Sequence, residues 1–239
     1  MALPKITAPI YDLTLPLSNK KIKFRPFLVK EQKILLMAME SNEKDVIESN
    51  IKHILSECLV DDIDIDTLPM LDIEYYFLNL RARSIGEVVQ SKYKCENEVE
   101  GKVCGNIMET EFNILNVQVD KPKDISDTIK LTDNVGIKLR YPNYEVVGRM
   151  QEQENVTDVV FELIIDCIDY IYDEDNVYYA HETSKDEMMS FLESLTKDQF
   201  DKIEQFIENL PKLKRDIEIT CSKCGFKHKI TIEGLESFF

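Results

Sequence analysis

Short stretches in which apolar and polar residues alternate are interleaved with longer ones in which apolar residues return every three or four positions. That pattern predicts a mixture of β-hairpins and amphipathic helices. Tyr11, Leu13 and Leu15 alternate with polar neighbours, Ser18-Asn19-Lys20 supplies a turn, and Ile22 and Phe24 alternate on the return. The chain therefore opens on a hairpin, stopped by Arg25-Pro26-Phe27. Residues 29–39 read as a helix. A second, from Ser41 or Asn42 to about Leu59, carries Ile47, Ile51, Ile54, Leu55 and Cys58 as a core-facing stripe. A third starts near Pro69, a good first-turn residue, and presents Met70, Ile73, Phe77 and Leu80 before Gly86 ends it.

Strand-like sequence then brackets two cysteine pairs. Residues 87–94 and 107–115 flank Cys95 and Cys104, and residues 216–220 and 226–232 flank Cys221 and Cys224. Between the pairs, Ile129 and Leu131 oppose Ile137 and Leu139 across Asp133-Asn134, a further hairpin. Residues 143–215 read as a helical block. Its longest helix follows a cap at Asn155 and puts Val156, Val159, Val160, Leu163, Ile164, Cys167, Ile168 and Ile171 on one face, with Asp158, Glu162, Asp166 and Asp169 opposite. Ser184 with Glu187, and Thr196 with Gln199, have capping-box spacing and open two more helices, which Pro211 closes. The fold class expected is α+β, in three parts: 1–142 with the first cysteine hairpin, 143–215 helical, and 216–239 a C-terminal hairpin and tail packing back on the first.

The cysteines carry the chemistry. Both pairs end in Cys-Gly, and Cys221-Ser-Lys-Cys224-Gly has the spacing of a zinc knuckle, in which two thiolates converge from a tight turn. Two such hairpin tips make a four-cysteine zinc ribbon, so Cys95, Cys104, Cys221 and Cys224 are the expected ligands of one structural zinc ion. With four thiolates the metal has no open position for water or substrate. The first pair is wider, with eight residues between its cysteines, and can also be read as free thiols or a cross-hairpin disulfide. His228, four residues after Cys224, is a reserve ligand, but strand alternation places it more simply as a strand residue. Cys58 and Cys167 fall on apolar helix faces and read as buried small hydrophobes. If zinc joins the middle of the chain to its end, it contributes on the order of 10 kcal/mol, as in small zinc-folded peptides.

Composition narrows the function. A chain of 239 residues with 44% apolar content can bury one large core or two modest ones. Nothing in it has the length and hydropathy of a membrane span, and the first thirty residues lack a secretory pattern, which points to synthesis and residence in the cytoplasm. Six cysteines are too few for a disulfide scaffold in a chain this long. The net charge of −16 argues against general binding to nucleic acid. Of that charge, −11 lies in 143–215, where 18 Asp and Glu outnumber 7 Lys and Arg. This acidic face is either solvated surface or the contact for a basic partner.

Catalytic patterns are missing. Seven glycines form no nucleotide-binding loop, and His53, His181 and His228 stand in no hydrolase or metalloprotease motif. Alternating aspartates from Asp61 to Asp66 evoke a calcium loop but lack its turn glycine and bidentate glutamate, which leaves a solvated acidic loop.

Several segments are similar to a known family. Phe24-Arg-Pro-Phe-x-x-Lys-Glu31, the helix end Leu80-Arg-x-x-Ser84-x-Gly86 leading into a Cys-Gly hairpin, and the terminal Phe238-Phe239 resemble the baseplate hub family of T-even-type contractile-tailed phages. The resemblance covers nearly the whole chain, with the Cys95 to Cys104 gap as its departure. It implies a non-catalytic hub component or hub assembly factor that contacts other phage baseplate hub proteins, acting in the host cytoplasm during assembly and, if retained, in the virion tail baseplate. The rival expectation is a zinc-ribbon transcription regulator binding nucleic acid or polymerase; a redox enzyme using Cys221 and Cys224 is a third. The tail residues Leu235, Phe238 and Phe239 are expected to be buried, against this ribbon or in a partner.

Overall fold

A computed structural model describes residues 6–41, 44–122, 126–143 and 156–233. The cap expected at Asn155 and the Phe-Phe terminus lie outside those residues. The chain is a mixed helix and sheet protein. Its contacts divide it into two compact units: one runs to Ile65 and includes Leu71–Asp120 and everything from Lys212 onward, and the other is Asp66–Met70 with Lys121–Pro211.

In the first unit, β1 (Tyr11–Thr14) and β2 (Lys21–Phe24) form the opening hairpin, with Tyr11 opposite Phe24 and Leu13 opposite Ile22. Helices α1 (Val29–Ser41), α2 (Lys44–Cys58) and α3 (Met70–Ser84) follow. The stripe expected on α2 is core-facing where it is described: Ile54, Leu55 and Cys58 are fully buried. They lie with Leu15, Ile22, Phe24, Tyr76 and Phe77 among the most buried side chains of the unit. Tyr76 sets its ring edge-on to Phe24 at 5.4 Å and donates its hydroxyl to the Leu55 carbonyl at 3.1 Å, so its polar tip is satisfied in the interior. Asp72, in the first turn of α3, is fully buried because the turn after β1 needs it: its two carboxylate oxygens accept the backbone N–H groups of Leu17 and Ser18 at 2.8 and 2.9 Å.

Past α3, Gly86 adopts φ +142°, and β3 (Val88–Lys94) pairs antiparallel with β6 (Ile107–Asn113). A two-stranded excursion, β4 (Glu98–Val99) and β5 (Lys102–Val103), rises between them. Strand β7 (Gln118–Asp120) then joins β12 (Lys212–Thr220) and β13 (Lys227–Glu233) in a three-stranded sheet with β12 in the centre. Leu71, Leu78 and Ala82 of α3, Val89 and Phe112 of the first hairpin, and Leu213 and Ile232 of the last share one core cluster. Burial of these side chains, favourable by about 1.5 to 3 kcal/mol for each one larger than alanine, brings the two cysteine hairpins onto the same helix.

The second unit has a four-stranded antiparallel sheet ordered β11-β10-β9-β8, where β8 is Thr128–Lys130, β9 Gly136–Leu139, β10 Ile168–Tyr172 and β11 Val177–Tyr179. Helices α4 (Val156–Cys167), α5 (Lys185–Glu193) and α6 (Lys197–Glu208) complete it. Both capping signals act as the sequence implies. Ser184 and Glu187 close a full box, and the Gln199 side chain accepts the Thr196 N–H at 2.9 Å.

Residues 143–215 are not helical throughout. The long helix expected to reach Ile171 stops at Cys167, and the chain turns straight into β10. Arg140 satisfies the helix end, its N–H bonding the Cys167 carbonyl at 2.7 Å and its Nε the Asp166 carbonyl at 3.3 Å. The register of β10 shifts at a bulge between Ile168 and Tyr170. It puts Ile168 and Ile171, three residues apart, on the same buried side, which reproduces helical spacing inside a strand.

Candidate metal centre

Two loops of nearly identical backbone construction meet at the tips of β3–β6 and β12–β13. In the second, the Cys221 N–H bonds the Phe226 carbonyl at 2.8 Å and the Gly225 N–H bonds the Cys221 carbonyl at 2.9 Å. In the first, the Cys95 N–H bonds the Asn106 carbonyl at 2.7 Å and the Gly105 N–H bonds the Cys95 carbonyl at 3.0 Å. Gly105 and Gly225 occupy the same left-handed region, φ +65° and +72°, where a side chain would be strained.

This equivalence accounts for the wide first pair. Asn97 and Cys104 are brought together by the Cys104 N–H bonding the Asn97 carbonyl at 2.8 Å, and the residues between them, Glu98 to Val103, are the β4–β5 excursion. Its tip turns through Glu100 and Gly101, both at positive φ (52° and 76°). Without it the loop reads Cys-Glu-Asn-Cys-Gly, the same length as Cys221-Ser-Lys-Cys224-Gly225. The first pair is thus a knuckle of ordinary length with six residues extruded from it.

The four sulfurs lie within 4.8 Å of one another. The Cys95 and Cys224 sulfurs are 3.6 Å apart and those of Cys104 and Cys221 3.8 Å, so each of these close pairs crosses from one knuckle to the other. A tetrahedral shell with Zn–S bonds of about 2.3 Å has sulfurs about 3.8 Å apart, so the spacing suits a four-thiolate ion. Disulfide bonding needs about 2.05 Å, and all six cysteines are free. Cys95 and Cys221 are buried, Cys104 and Cys224 half-buried. Met108 and Ile219 close the inner side of the cluster.

The surroundings favour thiolates unequally. The backbone N–H of Cys224, followed by that of Lys223, brings the Cys221 thiol down to about 6. Burial, reinforced by the neighbouring sulfurs, pushes Cys95 up to about 12. A divalent cation at the centre would reverse that second effect, because it deprotonates a coordinating thiol. Cys58 and Cys167, pushed up to about 11 and about 12 by burial, are ordinary interior thiols.

Three side chains that sequence patterns did not single out as donors point nitrogen atoms at the cluster. Asn97 Nδ2 lies 3.7 Å from the Cys224 sulfur and Asn106 Nδ2 3.5 Å from that of Cys221. His228 is a strand residue, opposite Ile219, yet its Nε2 is 3.1 Å from the Cys95 sulfur. An Asn two residues after each cysteine of the first pair, Asn97 after Cys95 and Asn106 after Cys104, was the available signal.

Other candidates resolve into structure. His53 and His181 are exposed. The Asp61 carboxylate accepts the Lys23 N–H, and Ile65 of the acidic loop is buried in a short 3-10 turn. On α4, Glu162 and Asp166 are half-buried, and Asp166 lies 3.5 Å from Lys185, so this face is not plain open acid. No helix among the described residues is long and apolar enough to cross a membrane.

Comparison with known proteins adds two findings. The sequence model of the family described as T4 bacteriophage base plate protein matches residues 8–239. The baseplate hub assembly protein gp26 of Enterobacteria phage T4 is 25% identical over 230 residues, spanning 96% of this chain and 97% of that protein. No solved structure gives a significant match.

Proposed function

The chain belongs to the T4 bacteriophage base plate protein family, and from that premise we propose that it acts in assembly of the phage baseplate hub, non-catalytically, through contacts with other baseplate proteins. The observation that carries this reading is the alignment, end to end, with a hub assembly protein. On this reading the protein acts in the host cytoplasm, with the virion tail baseplate as a second location if it is retained.

Within that role, a zinc ion held by Cys95, Cys104, Cys221 and Cys224 is structural. The chain's own residues supply four converging sulfurs, left-handed glycines that turn each knuckle, and side-chain nitrogens directed at three of the sulfurs. The metal would supply a crosslink between the middle of the sequence and its end. Strands β12 and β13 share only a modest core with α3, and such a crosslink would fix them there.

The test has two parts. Co-purification from phage-infected cells, set beside mass spectrometry of finished particles, should return baseplate proteins and establish whether the chain stays in the virion; recovery of RNA polymerase or DNA instead would favour the transcription-regulator reading. Elemental analysis of protein purified without added metal should give about one zinc per chain, lost in Cys224→Ser. A well-folded, metal-free protein would remove zinc from the proposal while leaving the assembly role standing.

A further inference from the structure

Four thiolates around a divalent cation leave a net charge of −2 in a partly buried site, and a site of that kind depends on N–H donors outside the ligands. We propose that His228 is such a donor, holding the Cys95 thiolate from the outer shell, with Asn97 and Asn106 doing the same for Cys224 and Cys221. This inference rests on the zinc reading above.

The geometry singles out His228 from the other two. Its Nε2 approaches Cys95 at 3.1 Å, closer than either asparagine approaches its sulfur. The Cys95 side chain is fully buried, cut off from water as a source of hydrogen bonds, so a protein donor matters there. The ring is also held in place. Phe226 packs edge-on against it at 4.7 Å, and its backbone is fixed in the β12–β13 ladder opposite Ile219, itself part of the cysteine cluster. A four-thiolate ion is closed and leaves no coordination position for the imidazole, and His228 is not among the donors that converge within 4.8 Å of one another. In the tautomer that carries its proton on Nε2 the ring is a donor, and the strand on the far knuckle reaches across 133 residues of sequence to stabilise a ligand of the first.

Zinc-loaded full-length protein and its His228→Ala, His228→Gln and Asn97→Ala variants would be challenged with a chromogenic chelator, and the same four proteins loaded with cobalt(II) for absorption spectra. Outer-shell donors change metal affinity by about 10 to 100-fold. His228→Ala should release zinc about 10 to 100 times faster than wild type, Asn97→Ala by less, and His228→Gln should recover much of the loss because its amide keeps an N–H. All four cobalt spectra should be those of a four-sulfur site. Equal release rates for wild type and His228→Ala would overturn the donor role. So would a wild-type cobalt spectrum with one nitrogen and three sulfurs that changes in the alanine variant, since His228 would then be a ligand. Wild-type protein that binds no metal would instead remove the zinc reading on which the inference stands.

Discussion

Arg25 and Glu31 hold each other across the junction of β2 and α1, Nη2 to Oε1 at 2.9 Å, with the Glu31 side chain only 1% exposed. Each also serves a helix end. The Arg25 guanidinium donates to the Glu57 carbonyl at 2.9 Å in the last turn of α2, while the second Glu31 oxygen accepts the Leu28 N–H at 2.7 Å at the start of α1. Next to them the Phe27 N–H bonds Ser84 Oγ at 3.0 Å, so two of the segments that resemble the baseplate family are in direct contact.

Glu31→Gln should destabilise the protein by roughly 2 kcal/mol at neutral pH, the usual worth of hydrogen bonds to a charged group. Burial alone would raise the Glu31 carboxyl, but Arg25, the Leu28 N–H and Lys30 outweigh it and bring it down to about 2. The stabilisation is therefore complete above the ordinary carboxylate range near 4.5 and is lost as pH falls towards 2. Urea midpoints of wild type and variant should converge over that window; a constant gap would rule out the ion pair as its source.

Glu74 behaves in the opposite sense. Burial raises it from 4.5 to about 7, so folding is opposed once the group is charged, and its contribution is most favourable below about 4.5 and declines as pH rises through 7. Glu74→Gln should melt higher than wild type at pH 8, by the equivalent of up to about 3 kcal/mol, and nearly alike at pH 4.5. The same gap at both pH values would count against it.

Removing Glu98 to Val103 should leave the metal site intact, because the shortened first loop has the length and Cys-Gly ending of the second. The deletion variant is expected to retain about one zinc per chain and to melt near wild type. Loss of zinc from an otherwise folded deletion variant would make the excursion part of the site.

If the acidic second unit meets a basic hub surface, the contact falls on carboxylates that are exposed, such as Glu174, Asp175, Glu193 and Asp198, rather than on the half-buried Glu162 and Asp166. Association with the co-purified partner should weaken as salt passes the physiological range, where screening shortens to about 8 Å, and Glu174→Lys with Asp175→Lys should weaken it further. Salt-independent binding would return this surface to plain solvation.

What the sequence determined by itself is local in origin. Alternation and helical spacing identified which side chains are buried, capping residues set the starts of α5 and α6, and the Cys-Gly turns marked both knuckles, since each of these signals is written within a few neighbouring residues. Tertiary structure decided the rest. Ile168 and Ile171 are buried as their spacing implied, yet they lie in a strand, because pairing with β9 and β11 and the bulge before Tyr170 outweigh a helical pattern that spacing alone cannot distinguish. The wide first pair became an ordinary knuckle only through the Asn97 to Cys104 hydrogen bond, and Cys104 and Cys221, 117 residues apart, came within 3.8 Å only because both hairpins bury their apolar faces with α3. The same long-range docking set His228 beside Cys95, a relationship between strands remote in sequence that no local pattern encodes.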